Sequence, residues 1–561
     1  MIRLFACLLM GLLSPSWAAL PLPVWIPNTW GAVPTVAVAR EDTALCGARG
    51  YYLALTKSGS GAHELTLPGV LQPGRAYSFS VEFRGLSGKG WLDVFFRRAG
   101  APYETTAIRT VQTSTDWQRV TLRGIYDANT TGSVRLALRD EGMAICLRKP
   151  TLIYVNERQV GAREGWHLVP STFMGVHLNK LGRHNGWPSF HPRVVRMWDT
   201  GTTWADLQPK REDTAWVSNE HVSRLDYFWR HVQKAPKPAD LLMTLGMTPE
   251  WAAAPGEPNC AHAHYGAKAC HPPANLMEWR AHVRGLAQRY KGRIRYWEIL
   301  NEADLGMHWS GSSAQLLAFV AAAADELKIV DPSNVVIGPN VTTMGYRLLS
   351  DFIRLGGAHH VDAFSVHGYI GRTPHVVQSK LRNLRELLFG QGLTHPIWNT
   401  EAGTSCLTGV DCHTLLTGMT PLDGASALAQ AYLGQAVLGV ANVSYYTWEG
   451  GVIDAGGLPL VKSDFHTETS AGVVLRQLSH WLDGAQVRSE DSGLVGVRRI
   501  GLNGEVGKCT VWWAEEGVVQ LPAELLTLFR KGVDALGAVV LLDGESSVRL
   551  TTLPILFCQE G

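Results

Sequence analysis

The chain has no excess of either charge, because 51 Lys and Arg residues stand against 49 Asp and Glu residues in a total of 561. A net charge of +2 argues against nucleic acid or an anionic membrane as the main partner. No apolar run after the first 19 residues is long enough to span a bilayer. These absences favour a neutral or weakly charged ligand, and we expect a monomer.

Zinc-type spacings are also missing, since the chain has no CxxC pair and no His/Cys cluster of the usual pattern. It has no internal repeat and no low-complexity segment. His262, His264 and His271 do crowd the loop between Cys260 and Cys270, and we interpret that loop as solvated and closed by a disulfide. We therefore expect neither a metal nor a cofactor.

Residues 1–19 have the features of a secretion signal, with Arg3, an apolar run from Leu4 to Leu13, and two small residues at the end. An anchoring N-terminal helix is the alternative. Removing the signal with Cys7 leaves eight cysteines, which allow 105 pairings. Even cysteine usage favours a secreted or periplasmic protein. Membership of the same predicted domain suggests one of these pairings: Cys46 with Cys146, Cys260 with Cys270, Cys406 with Cys412, and Cys509 with Cys558.

Length and an apolar content of 46% predict two or three domains. In residues 20–160, short alternating runs separated by turn residues predict an antiparallel β-sandwich. The phrase LQPGRAYSFSVEFRG followed by DWQRVTLRG resembles jelly-roll carbohydrate-binding modules. A sandwich that only supports the next domain is the alternative. Runs that carry the pattern include 51–56, 63–68, 76–85, 91–100, 117–126 and 134–140.

Between 168 and 484 apolar strands alternate with helical patterns, which predicts a (β/α)8 barrel. The segment 182–192, rich in Gly, Pro and His, should be irregular. Residues 485–561 return to β pattern and predict a small C-terminal β domain after a last helix near 468–483. The predicted barrel strands are 171–177, 194–201, 241–248, 295–302, 335–341, 362–369, 396–403 and 443–450.

Polar residues follow these apolar strands at their C-terminal ends, where barrels carry their chemistry. Buried ionisable groups are costly unless paired, so a ring of them at one end predicts a site. The ring comprises His177, Arg196, Asp199, Asn301, Glu302, Asn340, His367, Tyr369, Glu401 and Trp448.

In order along the chain, these residues resemble the retaining glycoside hydrolases of clan A. Strand four ends in Asn301 and Glu302, strand seven in Glu401, and strand six in His367 and Tyr369, while Arg196 on strand two and Trp448 on strand eight match two further clan positions. The phrases RMWDTGTTWADLQP, TLGMTPEWAA and YWEILNEAD are most similar to family 39. Ala303 departs from the family, which commonly has Pro there, and the interval between strands one and two is short.

Glycoside hydrolysis with retention needs one carboxylic acid and one carboxylate. We predict Glu302 as the general acid and then base, with a pKa raised by partial burial and by the charge of Glu401. Glu401 is the predicted nucleophile, kept ionised by hydrogen bonds from Tyr369 and Arg196. The resemblance implies retention, and hence carboxyl groups about 5–5.5 Å apart.

The remaining site residues are predicted to bind substrate, a β-linked oligo- or polysaccharide. Asn301 should donate to a sugar hydroxyl, and His177 and His367 should be polar partners in the same ring. Trp448 should present an aromatic face, and Trp198, Trp204, Trp251 and Trp309 are further candidates.

Three other acids near the predicted strand ends are alternatives to the catalytic pair. Glu298 points the same way as Glu302 along an extended strand but lies deeper, and we predict that it is a paired structural acid. Glu250 and Asp304 are interpreted as loop charges or hydroxyl contacts. Two rival functions stay open: a non-catalytic secreted carbohydrate-binding protein, and a polysaccharide lyase, which would need an acidic sugar.

Overall fold

The fold is taken from a computed structural model of the chain. It describes residues 19–559 except for 23, 31–35, 58–61, 87–88, 102, 180–186, 214–218, 257–259, 261–264, 371–373, 404–419, 450–457, 528, 530 and 543–546. The chain divides into two compact units, one running to Val160 and the other from Gly161 to Gly561. The predicted signal peptide lies outside the described residues, except for Ala19.

Two five-stranded antiparallel sheets form the first unit, with strand orders β1-β4-β9-β6-β7 and β2-β3-β10-β5-β8. Alternate residues point inwards, as in β5 with Tyr77, Phe79, Val81 and Phe83, and join one apolar core between the sheets. Each such buried side chain stabilises the sandwich by about 1.5–3 kcal/mol. The strands are β1 Ile26–Trp30, β2 Val36–Glu41, β3 Tyr51–Lys57, β4 Ala62–Leu71, β5 Arg75–Gly85, β6 Trp91–Arg98, β7 Thr105–Gln112, β8 Gln118–Tyr126, β9 Gly132–Leu138 and β10 Met143–Tyr154; a short helix, α1, spans Thr43–Cys46.

Eight parallel strands close into a barrel in the second unit, which confirms the predicted fold class. Each strand pairs in parallel register with its neighbour, and β12 closes the ring against β19. The barrel strands are β12 Met174–His177, β13 Val194–Met197, β14 Asp240–Leu245, β15 Tyr296–Ile299, β16 Val335–Thr342, β17 Ala363–His367, β18 Ile397–Ala402 and β19 Asn442–Tyr445.

Helices cross between the strands on the outside of the barrel. Helix α5 shows why they form: the Ser312 side chain caps the first turn reciprocally with Gln315, and Leu316, Phe319, Val320 and Leu327 bury one face. Residues 187–192 contain no helix, as predicted for the segment 182–192, whose first five residues lie outside the described residues. The helices are α2 Trp204–Leu207, α3 Glu220–Val232, α4 Leu276–Arg289, α5 Ser313–Val330, α6 Tyr346–Arg354, α7 His375–Gly390, α8 Pro421–Val437 and α9 Ser470–Leu482.

Six C-terminal strands join β11, which precedes the barrel, in a seven-stranded antiparallel sheet. The C-terminal β structure was predicted, but the participation of β11 was not. His167 in β11 pairs with Val487 in β20, so this sheet contains segments that precede and follow the barrel in the sequence. Its strands, with the separate pair β23 and β26, are β11 His167–Leu168, β20 Gln486–Glu490, β21 Val497–Gly504, β22 Gly507–Ala514, β23 Val519–Pro522, β24 Lys531–Asp534, β25 Val539–Leu541, β26 Ser547–Leu550 and β27 Ile555–Cys558.

Three of the predicted disulfides are confirmed, and they join Cys46 to Cys146, Cys260 to Cys270, and Cys509 to Cys558. The fourth predicted pair, Cys406 with Cys412, lies outside the described residues. Disulfides persist in oxidising compartments, so these three indicate a location outside the cytoplasm. Among the described residues, no helix has the length and apolar character needed to cross a membrane.

Candidate active site

Two glutamates from different strands face each other at the C-terminal end of the barrel. Glu302 follows β15 and Glu401 lies in β18, and they are 9% and 6% exposed. One carboxylate oxygen of each, together with a ring nitrogen of His367, lie within 4.8 Å of one another. The fold therefore brings together two carboxyl groups that are 99 residues apart in the chain (401 − 302).

The position of Glu302 is fixed by its backbone as well as by its side chain. Its φ of +43° lies in the left-handed region, and its backbone N donates to Asn340 Oδ1 at 2.7 Å. One carboxylate oxygen lies 2.9 Å from His367 Nδ1, and the other lies 3.7 Å from His308 Nδ1. A backbone in this strained region persists only where its surroundings hold it, as Asn340 does here.

Glu401 receives hydrogen bonds from both predicted donors. Arg196 Nη1 donates to Oε2 at 2.9 Å, and the Tyr369 hydroxyl donates to Oε1. Burial raises the pKa of Glu401 above its ordinary 4.5, and the charge of Glu302 acts in the same direction, whereas His367, Arg196 and Tyr369 oppose it. Burial thus favours the protonated form of Glu401, whereas the hydrogen-bond donors favour the carboxylate.

Arg196 connects the two strand ends through a buried fork of hydrogen bonds. Its Nε donates to Glu298 at 2.7 Å, and its Nη2 donates to Asn301 Oδ1 at 2.8 Å. Burial acts to lower the pKa of Arg196, but Glu298 and Glu401 outweigh it, so the pKa stays above its usual value. Because Asn301 accepts through its oxygen, its amide nitrogen remains available to donate.

Glu298 is a paired structural acid inside the barrel, as predicted. It is fully buried, and besides Arg196 it accepts from Thr400 Oγ1 at 2.6 Å and from Thr244 Oγ1 at 3.2 Å. Asp304 also has a structural setting, since it accepts from the backbone N of Thr342 at 2.7 Å. Glu250 is exposed.

Two buried histidines contribute neutral rings. Burial lowers the pKa of His367 to about 4 and holds that of His177 well below its ordinary value, so both are uncharged at neutral pH. His177 Nε2 lies 3.0 Å from the carbonyl of Thr400, next to Glu401. Among the described residues, neither His177 Nδ1 nor His367 Nε2 has a hydrogen-bond partner.

A second polar cluster lies near Glu401 and was only partly visible in the sequence. The exposed carboxylate of Asp199 accepts from the Tyr446 hydroxyl at 2.7 Å and from the Tyr265 hydroxyl. Burial raises the pKa of both tyrosines, with Asp199 and Glu401 contributing, so both hydroxyls remain protonated donors. Strand-end position marked Asp199, but no motif marks the tyrosines, which lie in the loop before α4 and just beyond β19.

The tryptophans differ in what they can offer a ligand. Trp204 is 1% exposed and packs against Trp279, so it cannot present a face, contrary to its candidate role. Trp448 follows β19; its backbone N donates to the carbonyl of His177 at 3.1 Å, and its ring lies 5.7 Å from that of Phe190. The ring of Trp198 lies 5.7 Å from that of His308, a residue whose Nδ1 is 3.7 Å from a Glu302 oxygen.

Metal-ligand geometry occurs twice among the described residues. Cys260, Cys270 and His271 lie close enough, but the two sulfurs form a disulfide and are not thiolates. Glu302, His367 and Glu401 also converge, and their oxygen and nitrogen atoms suit a divalent cation. A cation there would occupy both carboxyl groups.

What the arrangement can do chemically follows from its parts. The Glu401 carboxyl group accepts hydrogen bonds from the Arg196 guanidinium and the Tyr369 phenol, which stabilise its charged form. The Glu302 carboxyl group has the neutral imidazole of His367 within hydrogen-bond distance and can share a proton with it. A pair of this kind can deliver a proton and a nucleophile to the same bond.

No family model and no curated protein matches the chain. Solved structures are similar to it in fold. A family 39 glycoside hydrolase from the gut symbiont Bacteroides cellulosilyticus WH2 shares 16% identity with a TM-score of 0.50, covering 85% of this chain and 96% of that one.

Two further structures have lower TM-scores. For a family 39 β-xylosidase from Caulobacter crescentus the TM-score is 0.48 at 16% identity, with 70% of this chain and 96% of that chain covered. For a family 30 endoxylanase from Clostridium papyrosolvens C71 it is 0.46 at 12% identity, with the same shares covered. At these identities the likeness concerns the fold.

Proposed function

We propose that the protein hydrolyses β-linked oligo- or polysaccharides, including bacterial exopolysaccharides, with retention of configuration. The observation that carries the proposal is the approach of Glu302 and Glu401 to within 4.8 Å, measured between one oxygen of each. Retaining enzymes place the two carboxyl groups about 5–5.5 Å apart, whereas inverting enzymes need about 6.5–9.5 Å to admit a water. The separation therefore supports retention.

In the first step, Glu401 attacks the anomeric carbon while Glu302 gives its proton to the departing glycosidic oxygen. The C–O bond to the leaving sugar breaks, and an ester between Glu401 and the sugar forms. Arg196 and Tyr369 hold the attacking carboxylate in place. His367 keeps Glu302 oriented towards the scissile bond.

In the second step, a water molecule gives a proton to Glu302 and its oxygen attacks the same carbon, which releases Glu401 as a carboxylate. The sugar leaves with its original configuration. Asn301 donates through its free amide nitrogen to the hydroxyl beside the reacting carbon. The unpartnered ring nitrogens of His177 and His367 are suited to further sugar hydroxyls.

The fold shared with the Bacteroides enzyme is compatible with this reaction, and we propose a relationship to family 39 on the motifs quoted above. We further propose a secreted or periplasmic monomer with a signal at 1–19, a sandwich at 20–160 that binds glycan or supports the barrel, a barrel at 168–484 and a β domain at 485–561. A non-catalytic carbohydrate-binding protein is the alternative; the intact hydrogen-bonding of both glutamates favours the enzyme.

The test uses aryl β-glycosides and bacterial exopolysaccharides as substrates for the full chain. Glu401→Gln should abolish turnover on all of them. Glu302→Gln should lose most activity where the leaving group is poor, and far less where it is a nitrophenolate that departs without a proton. Glu250→Gln, at an exposed acid outside the pair, is the matched control and should behave as wild type.

Retention is read separately, from the anomeric configuration of the first product by NMR. The β-anomer should appear first. An α-anomer as first product would overturn retention, and full activity of Glu401→Gln would overturn the assignment of the site. Binding of a glycan without release of reducing ends would favour the carbohydrate-binding alternative.

A further inference from the structure

A cavity of about 550 Å³ lies at the opposite end of the barrel from the glutamates. Its wall includes residues that begin four barrel strands, namely Tyr296, Val335, Ala363 and Ile397. Small-molecule sites usually measure about 300–1,000 Å³, so the size suits a ligand. Chemistry in barrels sits at the other end, and the proposed hydrolysis leaves this cavity unexplained.

The cavity contains a buried cation that has no counter-charge in the part of the chain that the structure describes. Arg385, from α7, lines the cavity and is 8% exposed. Among the described residues, its buried Nη1 has no hydrogen-bond partner, and no acid forms an ion pair with Arg385. Burial lowers the pKa of Arg385 to about 10, and the nearby charges of Arg163 and Arg382 act in the same direction. An unpaired buried cation is costly unless a ligand supplies the opposite charge.

Acids close to Arg385 in space or in sequence are already engaged. Asp362 lines the same cavity, but its Oδ2 accepts from Lys328 Nζ at 2.8 Å and from the backbone N of Val336 at 2.8 Å. Glu386, the next residue in α7, accepts from the backbone N of Gly161 at 2.7 Å. Neither acid is bonded to Arg385.

Arg163 adds a second cation at the edge of the cavity. It is exposed, and its guanidinium packs against Gly439, which also lines the cavity. A Cβ built on Gly439 would lie 2.3 Å from Arg163 Nη1, so the absence of a side chain there leaves room for the guanidinium. Two arginines thus converge on one space from different parts of the chain.

The rest of the wall is largely apolar. Tyr296 and Trp398 pair with ring centroids 5.1 Å apart, and Leu388 is buried beside the cavity while Phe389 is 49% exposed. His395 also lines the cavity, and its buried Nδ1 has no partner among the described residues. The exposed members of the wall, Arg163 and Phe389, show that the cavity reaches the surface.

We propose that this cavity binds a small organic anion, a carboxylate carried on a flat apolar body, with Arg385 as its counter-ion. The planar guanidinium matches a carboxylate in a two-point hydrogen bond. The apolar body would lie against Trp398 and Leu388, and Arg163 would attract the anion at the entrance. The site is separate from the glutamate pair, and its occupancy does not depend on the proposed hydrolysis.

Benzoate is the test ligand, with benzyl alcohol and inorganic sulfate as its uncharged and non-apolar counterparts. Titration calorimetry on the full chain should show saturable binding of benzoate, and binding at least tenfold weaker for each counterpart. Arg385→Met should weaken benzoate binding at least tenfold. Without ligand, its unfolding temperature should be unchanged or higher, because the unpaired buried charge is gone.

Arg163→Glu offers a second variant at an exposed position, where folding is not at risk. It should also weaken benzoate binding, while Arg230→Glu, on the exposed face of α3, should have no effect. Absence of saturable benzoate binding, unchanged binding by Arg385→Met or Arg163→Glu, or equal binding of sulfate would each overturn the proposal. Because the readout is binding, a failure here is distinguishable from a failure of the proposed hydrolysis.

Discussion

At the scale of one residue, the Tyr369 hydroxyl helps to keep Glu401 ionised by donating a hydrogen bond to its carboxylate. Its hydrogen bond is among the contacts that oppose the burial-driven rise in the pKa of Glu401. Since Glu401 acts as a carboxylate in the proposed mechanism, activity should fall as pH drops through that raised pKa. The acid limb of kcat/KM should therefore lie above pH 4.5, the ordinary value for this group.

Tyr369→Phe should move this limb further up. A hydrogen bond to a charged group contributes about 1.5–3 kcal/mol, which corresponds to roughly one to two pH units. The pH profile of kcat/KM on an aryl glycoside measures the shift. Tyr346→Phe, which removes a hydroxyl bonded to the backbone carbonyl of Lys380 on the outer helices, is the control. A limb that stays in place would contradict the role of Tyr369.

Asp199 should position substrate without setting any pKa in the pair. Its carboxylate is exposed and oriented by Tyr265 and Tyr446, and the largest influences on the pKa of Glu401 come from burial and from other residues. Asp199→Asn should lower kcat/KM roughly tenfold or more, as expected for a lost charged hydrogen bond, and leave the acid limb unmoved. Steady-state kinetics across pH distinguish the two effects.

Asp226→Asn is the matched control for this variant, because Asp226 also accepts from a tyrosine hydroxyl, that of Tyr290, but on the outer helices. It should leave kcat/KM unchanged. A shifted acid limb in Asp199→Asn would show that Asp199 acts through the glutamates rather than on the sugar.

At the scale of elements, the end of β16 holds the end of β15. Asn340 accepts from the backbone N of Glu302, and its Nδ2 lies 3.2 Å from Glu298 Oε1. Asn340→Ala should leave buried groups unpaired, at a cost of about 1–3 kcal/mol each. We expect a lower unfolding temperature and a lower kcat, because Glu302 loses the bond that fixes its backbone.

The control is Asn334→Ala near the start of the same strand. Asn334 is buried, accepts from Trp297 Nε1 at 3.1 Å and donates to the carbonyl of Leu327 at 2.9 Å. Its loss should destabilise the barrel to a similar extent but leave kcat unchanged. Equal kcat losses in both variants would mean that Asn340 acts only through stability.

The elements themselves were largely predictable, but their ends were not. The predicted strand 295–302 ends at Ile299 in the structure, because Leu300 and Glu302 turn into the left-handed region and present the site. Strand patterns report apolar alternation and contain no signal for such departures. Strand β10 is not among the quoted runs, and its pattern is interrupted where Pro150 follows Lys149, whose φ is +50°, and the pairing shifts register.

Residues of the candidate site were predictable from the sequence only where they lie at the ends of barrel strands. Glu302, Glu401, Arg196, His367 and Tyr369 come together because parallel strands end at one edge. His308 and Tyr265 come from loops, whose course depends on contacts far apart in the chain, and no periodic pattern marks them. The sequence could not show which tryptophans contact a ligand, because it does not distinguish rings packed in the core from rings at the surface.

At the scale of the molecule, the two units should unfold separately. The bond between Cys46 and Cys146 spans a sequence separation of 100, for which chain entropy predicts about 4.7 kcal/mol. Replacing both with serine should lower one calorimetric transition, that of the first unit, and leave kcat unchanged. Cys509→Ser with Cys558→Ser, in the second unit, should lower the other transition. A single shared transition would contradict the independence of the units.

The bond between Arg196 and Glu298 has a consequence for the turnover cycle. When Glu401 becomes an ester in the proposed mechanism, it loses its charge, and Arg196 would face a sugar with no anion beside it. Glu298 takes no part in the bond changes, and its carboxylate stays paired with the same guanidinium at 2.7 Å. The Arg196 guanidinium therefore keeps a counter-ion while Glu401 is an ester, and that counter-ion comes from an acid that does not contact the sugar. An unpaired guanidinium would instead stabilise the departing Glu401 carboxylate and hasten breakdown of the intermediate.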